Sequence, residues 1–208
     1  MPRVSTISRR EFLKDFGLVL AGLALPKNFS STSKLTIPKL GRVTSESLSV
    51  YAEPSDKSKI RFQRFRDEIL HIYQDIISED GPGYNPLWHR VWGGYVHSAF
   101  VQPVENRLNP IMTKFPSAGQ LMEVTVPYSQ SYRIRQNGKW EEFYRLYYSS
   151  THWAFETVEG LYGEPFYKVN NKLLNLSYYV RAVHMRAVDN AELMPIHPEV
   201  DPKDKHIE

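Results

Sequence analysis

The chain holds seven histidines: His71, His89, His97, His152, His184, His197 and His206. None stands four residues from another, the spacing that puts two metal ligands on one helix face. His89 and His97 flank the pair Gly93–Gly94 and could meet across a turn, although histidines on a strand face are the plainer reading. No metal site is therefore expected. Ser150, His152 and Glu156 offer a nucleophile, a base and an acid close in sequence. Such a set works only through geometry, and no Gly-x-Ser-x-Gly turn surrounds Ser150. The stretch "EDGPG" lacks the alternating oxygen ligands of a calcium loop. The glycine pairs read as turns, not as phosphate cradles, and no cofactor is expected. There is no cysteine, which removes thiol nucleophiles and thiolate metal sites.

The strand-like run "LWHRVW" carries a different kind of chemistry. Side chains alternate along a strand. Leu87, His89 and Val91 should share one side, and Trp88, Arg90 and Trp92 the other. In "PFYKV", Tyr167 and Val169 oppose Phe166 and Lys168. With the valines turned to the core, Trp88 and Phe166 each lie beside a base on the opposite face. An exposed aromatic ring next to Arg or Lys can stack on a sugar and pair with a carboxylate. Trp88, Arg90, Trp92, Phe166 and Lys168 are thus the candidate ligand-binding residues. The alternative is that these rings seal a contact between two packed domains.

Short strands separated by turn signals must position these residues. "GRVTSESLSVYAEPSDKSKI" gives two β runs and a Pro-Ser-Asp turn, and the β-branched content of "EILHIYQDIIS" favours strand. "EDGPGYNP" is a loop, and "LWHRVWGGYVHSAFVQPV" is a strand, a tight glycine turn and a return. No long apolar helical period occurs. The 13 Tyr, 10 Phe and 4 Trp suit a small β-rich core.

The chain also repeats itself. "YVHSAFVQPV" (95–104) matches "YVRAVHMRAV" (179–188), and "GPGYNPLWHRV" faces "GLYGEPFYKV", so Trp88, Arg90 and Val91 correspond to Phe166, Lys168 and Val169. Upstream, "VTSESLSVY" faces "VTVPYSQSY" and "ILHIYQDI" faces "RLYYSSTHW". Serial order is kept throughout. Residues 41–106 and 120–189 read as two copies of one small β domain, each near the lower size for folding alone.

The N-terminus differs from the rest. An apolar run from Phe16 to Pro26 follows two arginines and precedes "NFSSTS". It has about half the ~20 residues a membrane span needs. "SRREFLK" resembles the twin-arginine export signal through Ser8, Arg9, Arg10, Phe12, Leu13 and Lys14. Such signals are read by the twin-arginine translocase, which moves folded proteins out of the cytoplasm. Residues 1–33 are then signal and tether, and the membrane is touched only through this segment, which stays as an anchor if it is not cleaved. The net charge of +3 falls to about +1 without the signal's four bases and two acids. No basic stripe remains, so nucleic acid is not an expected partner.

The repeated pattern resembles bacterial SH3-like domains, with the first copy closer to the pattern than the second. More narrowly, the chain is similar to the N-terminal region of exported L,D-transpeptidases, in which such repeats precede a cysteine catalytic domain. The resemblance implies an all-β fold of two tandem SH3-like barrels and a location in the cell envelope or outside the cell. It implies a non-catalytic module that positions a peptidoglycan-modifying enzyme on the wall, with peptidoglycan as partner. The alternatives are the front portion of a complete L,D-transpeptidase, or a standalone exported ligand-binding protein. These 208 residues lack the nucleophile and hold no catalytic residue of that family. The prolines of "MPIHPEVDPKDKHIE" read as a spacer over 190–208.

Overall fold

The computed structural model describes residues 39–80, 82–171 and 176–194. The export-signal residues lie outside this set. The described residues are all-β, and their helical pieces are 3-10 turns of three or four residues.

Eight strands form the first half: β1 (Lys39–Val43), β2 (Ser47–Tyr51), β3 (Ile60–Phe65), β4 (Ile69–Ile72), β5 (Gln74–Ile77), β6 (Leu87–Val91), β7 (Gly94–His97) and β8 (Val101–Val104). Seven form the second: β9 (Gln120–Val124), β10 (Tyr128–Ile134), β11 (Trp140–Tyr147), β12 (Thr151–Glu159), β13 (Pro165–Asn171), β14 (Leu176–Arg181) and β15 (Met185–Ala187). A three-stranded sheet runs β4-β1-β8, a five-stranded sheet β3-β2-β7-β6-β5, and a seven-stranded sheet β11-β10-β14-β13-β12-β9-β15. Among the described residues none of these sheets closes on itself, so the expected closed barrels are replaced by open sheets that fold over their own cores. In the first half the chain switches between its two sheets at β1–β2, β3–β4, β4–β5 and β7–β8, and in the second half one ladder runs from β11 to β15 without pairing its two edge strands.

The two halves nevertheless share one pairing plan. β4 and β5 are one run broken only at Tyr73. With those two counted as one, β3-β2-β7-β6-β5/β4-β1-β8 matches the seven-stranded order strand for strand. The corners match as well. Thr44 N–H donates to Phe100 O and Thr125 N–H to His184 O, each at 3.0 Å. Val43 N–H reaches Glu68 O and Val124 N–H reaches Ser150 O, again at 3.0 Å. Asp67 and Ser149, at φ +67° and +62°, occupy the same left-handed turn. One detail of the sequence alignment shifts: "ILHIYQDI" pairs as β4 and β5, and its counterpart is β12, six residues beyond the start of "RLYYSSTHW".

Each half buries its own core. Val43, Leu48, Val50, Leu70, Ile72, Val91, Val96 and Val101 pack together in the first. Met122, Val124, Leu146, Tyr167, Val169, Tyr178, Val180 and Met185 anchor the second. Val91 and Val169 therefore both face inward. The segment between the halves is docked against the second: Met112 N–H donates to Tyr167 Oη at 2.7 Å, and Asn109 Nδ2 to Thr125 Oγ1 at 2.6 Å. Past β15, a 3-10 turn over Asn190–Leu193 is capped by Asp189, and Arg186 holds Glu192 at 2.8 Å. The start of the expected spacer is thus an ordered turn.

Candidate functional site

The strand pairing assembles one row of side chains across the outer face of each half. Directly opposed residues on adjacent strands point to the same face. In the first half Tyr51 of β2 opposes Tyr95 of β7, Tyr95 opposes Arg90 of β6, and Arg90 opposes Gln74 of β5. In the second, Tyr132 opposes Tyr179, Tyr179 opposes Lys168, and Lys168 opposes Glu156. The result is Tyr–Tyr–base–polar twice, at matching ladder positions. All four tyrosines are partly exposed, and Arg90 and Glu156 are exposed.

Two residues back along β6 and β13, on the same face, stands an aromatic ring in each half. Trp88 opposes His97, and Phe166 opposes Arg181. Here the sequence-based expectation needs correction. Trp88 and Phe166 sit on the anticipated face, but they are 0% and 2% exposed. Trp88 packs edge-on against Tyr51 and His97, with ring centroids 5.5 and 5.1 Å away. Phe166 does the same with Tyr132 and Trp140, at 5.9 and 5.1 Å. Each ring is therefore the floor under the tyrosines. All the rings that surround Trp88 come from its own half, so it does not seal the contact between halves either.

Trp92 departs from the expectation in another way. It occupies the β6–β7 turn with Gly93, whose φ of +83° suits glycine. Gly94 must also stay bare, because a Cβ there would lie 2.1 Å from Tyr51 O. Trp92 is 67% exposed, 5.7 Å from the Phe62 ring, with the Arg64 guanidinium 6.0 Å away. The five expected residues are thus split: Arg90 and Lys168 belong to the rows, Trp88 and Phe166 lie beneath them, and Trp92 stands apart on the turn.

The tyrosines of the rows were not singled out by alternation within β6. Their signal was the repeat itself, since "VTSESLSVY" and "VTVPYSQSY" end on Tyr51 and Tyr132 and the "YV" pairs begin with Tyr95 and Tyr179. Two more tyrosines extend the pattern. Tyr84 and Tyr162 both stand four residues ahead of the buried ring and are 81% and 98% exposed. Tyr162 is held at φ +61°.

Electrostatics distinguish the two rows. Lys168 Nζ donates to Glu156 Oε1 at 2.7 Å, and this bond raises the lysine pKa. Arg90 faces a neutral amide instead. Asp75, next along β5, points to the other side of the sheet, where Lys39 and His89 each hold it at 2.8 Å; the Lys39 bond leads in lowering its pKa.

The nucleophile-like group near Ser150 is a closed network. Ser150 Oγ donates to Tyr147 O at 2.6 Å and lies 2.9 Å from His152 Nε2, while Tyr178 Oη lies 2.8 Å from His152 Nδ1. The serine proton is committed to a backbone carbonyl, so this histidine cannot take it up as a general base would. Burial lowers the His152 pKa and raises that of Tyr178. Glu156 is engaged by Lys168 on the outer face and takes no part. His89 and His97 do not join at a common site: His89 pairs with Asp75, and His97 Nε2 lies 2.9 Å from Asn85 O. Among the described residues no cluster of three His, Cys, Asp or Glu side chains could hold a metal, and no helix is long and apolar enough to cross a membrane.

A scan of protein-family profiles matches none of them to this chain, and a search of curated proteins returns no significant relative.

Proposed function

We propose that this chain is an exported, non-catalytic cell-envelope module made of two copies of an SH3-like unit, whose outer face holds an enzyme on peptidoglycan. The observation that carries this reading is the recurrence of one solvent-facing Tyr–Tyr–base row in both halves. A core needs matching valines, but it does not need matching polar aromatics and cations on its outer side. Tyrosine and arginine are the residue types that anchor contacts, because they offer rigid area with a polar end. Export by the twin-arginine translocase rests on residues 8–14, and the expected partner beyond it is the wall.

Co-sedimentation of the full chain with purified peptidoglycan tests the reading. Tyr95→Thr combined with Tyr179→Thr keeps β propensity and removes the centre of both rows. We expect the wild type to sediment with the wall, and the folded double variant to lose most of that binding. Undiminished binding by a variant with a native circular dichroism spectrum would overturn the reading.

A further inference from the structure

The two rows differ at one ladder position, and that difference defines a ligand group. Gln74 and Glu156 occupy equivalent places across from the row's base. In the second half the Glu156 carboxylate sits on Lys168 at 2.7 Å. In the first half the amide of Gln74 cannot neutralise Arg90, and among the described residues Arg90 forms no ion pair. The second row also has the Trp140 ring beside Tyr179, tilted and with centroids 5.1 Å apart, while Tyr179 itself stays half-exposed. Among the described residues no ring stacks on Tyr95. The second row is in effect the first with its acid supplied from within.

We infer that the first row is a binding site for an acidic saccharide, its carboxylate on Arg90 and its ring on Tyr51 and Tyr95, and that the second row is held closed by Glu156. This rests on the wall-binding reading, and the ligand to which it commits is wall glycan bearing peptide carboxylates. Arg90 donates a planar fork that fits a carboxylate on two atoms. The tyrosine rings beside it present flat apolar area with a hydroxyl at the edge. Neither group is consumed by the fold: Arg90 is exposed and both tyrosines are reachable from solvent.

The test uses the full chain and two soluble probes: disaccharide–tetrapeptide fragments released from peptidoglycan, and the same fragments with their carboxyl groups converted to amides. Calorimetric titration should show the wild type preferring the acidic fragment on the order of tenfold, as loss of one charged hydrogen bond implies. Arg90→Gln should abolish the preference. Gln74→Glu, which builds into the first row the acid already present in the second, should abolish it too. Glu156→Gln should free Lys168 and raise the stoichiometry from one site to two. All three positions are exposed or half-exposed, and unchanged thermal unfolding verifies their fold. A preference that survives Arg90→Gln or Gln74→Glu overturns the inference, as does a wild type that already binds two fragments. A wild type that sediments with intact wall but ignores the carboxylate overturns this inference and leaves wall binding standing. A wild type that binds neither wall nor fragment removes the wall reading itself.

Discussion

Trp88 shows how one residue can look like a ligand platform and serve as a floor. Its side of the strand was read correctly, but the face above it is covered by the Tyr51 and His97 rings. Its Nε1 is buried with no partner among the described residues. An unpaired buried donor costs about 1–3 kcal/mol, which the packing of a fully buried indole more than offsets. Trp88→Ala should therefore destabilise the protein by about 3–5 kcal/mol. Trp88→Phe should cost much less, because it removes the unpaired donor and installs the ring type the second half uses at Phe166. Denaturant unfolding of the two variants decides this, and equal losses would show that the indole shape, not its burial alone, is required. Trp92→Ala, at an exposed turn, should leave stability nearly unchanged.

At the scale of elements, the second half relies on neutral histidines. His152 links the β11–β12 turn to β14 through Ser150 and Tyr178. His184, in the turn before β15, lies 2.7 Å from Ser129 Oγ on β10. Burial lowers both pKa values, with the Arg181 charge adding to the shift at His184 and Glu164 opposing it. A histidine with a lowered folded-state pKa stays neutral while the unfolded chain takes up its proton. Stability is therefore full above about pH 6.5 and falls as pH drops below it, by at most ~1.4 kcal/mol per pH unit for each ring. Acidic side chains act in a separate window: Glu141 and Glu192, held at about 2 by Arg135 and Arg186, lose their contribution only below the ordinary carboxylate range. Denaturant midpoints at pH 7.5, 6 and 5 should fall in that order. A flat profile would mean that the histidine networks open before they titrate.

At the scale of the molecule, the halves are joined by a buried acid. Asp67, in its left-handed turn, accepts from Arg42 at 2.7 Å and from Arg145 of the other half. The Arg42 guanidinium lies 4.1 Å from the Tyr147 ring and reaches Gln102 at 2.7 Å, and Gln102 in turn contacts Tyr148 O at 3.5 Å. Arg42 and Asp67 are both 7% exposed. Removing the acid strands a buried cation, which costs roughly 3–5 kcal/mol where a buried pair is broken. Asp67→Ala should therefore lower stability by about 3 kcal/mol or more and separate one unfolding transition into two. Arg145→Ala should cost less, since that side chain is 44% exposed. Coincident transitions in Asp67→Ala, followed by fluorescence and by circular dichroism, would show that the halves are coupled by other contacts.

The sequence by itself determined the all-β class, the strand runs around β2, β6 and β7, and the correspondence of residues 95–104 with 179–188. These are local properties, because alternation, glycine turns and repeated spacing are written in neighbouring residues. The base of each row was also legible, since Arg90 and Lys168 fall at matched positions of the repeat. Only the tertiary structure decided which face residues are open. Burial depends on what crosses above a strand, and the rings over Trp88 come from β2 and β7, 37 residues before it and nine after. It likewise decided the neighbours of each base. Gln74 and Glu156 reach their rows through strand pairing, and a ladder register sets two side chains together whatever their distance along the chain.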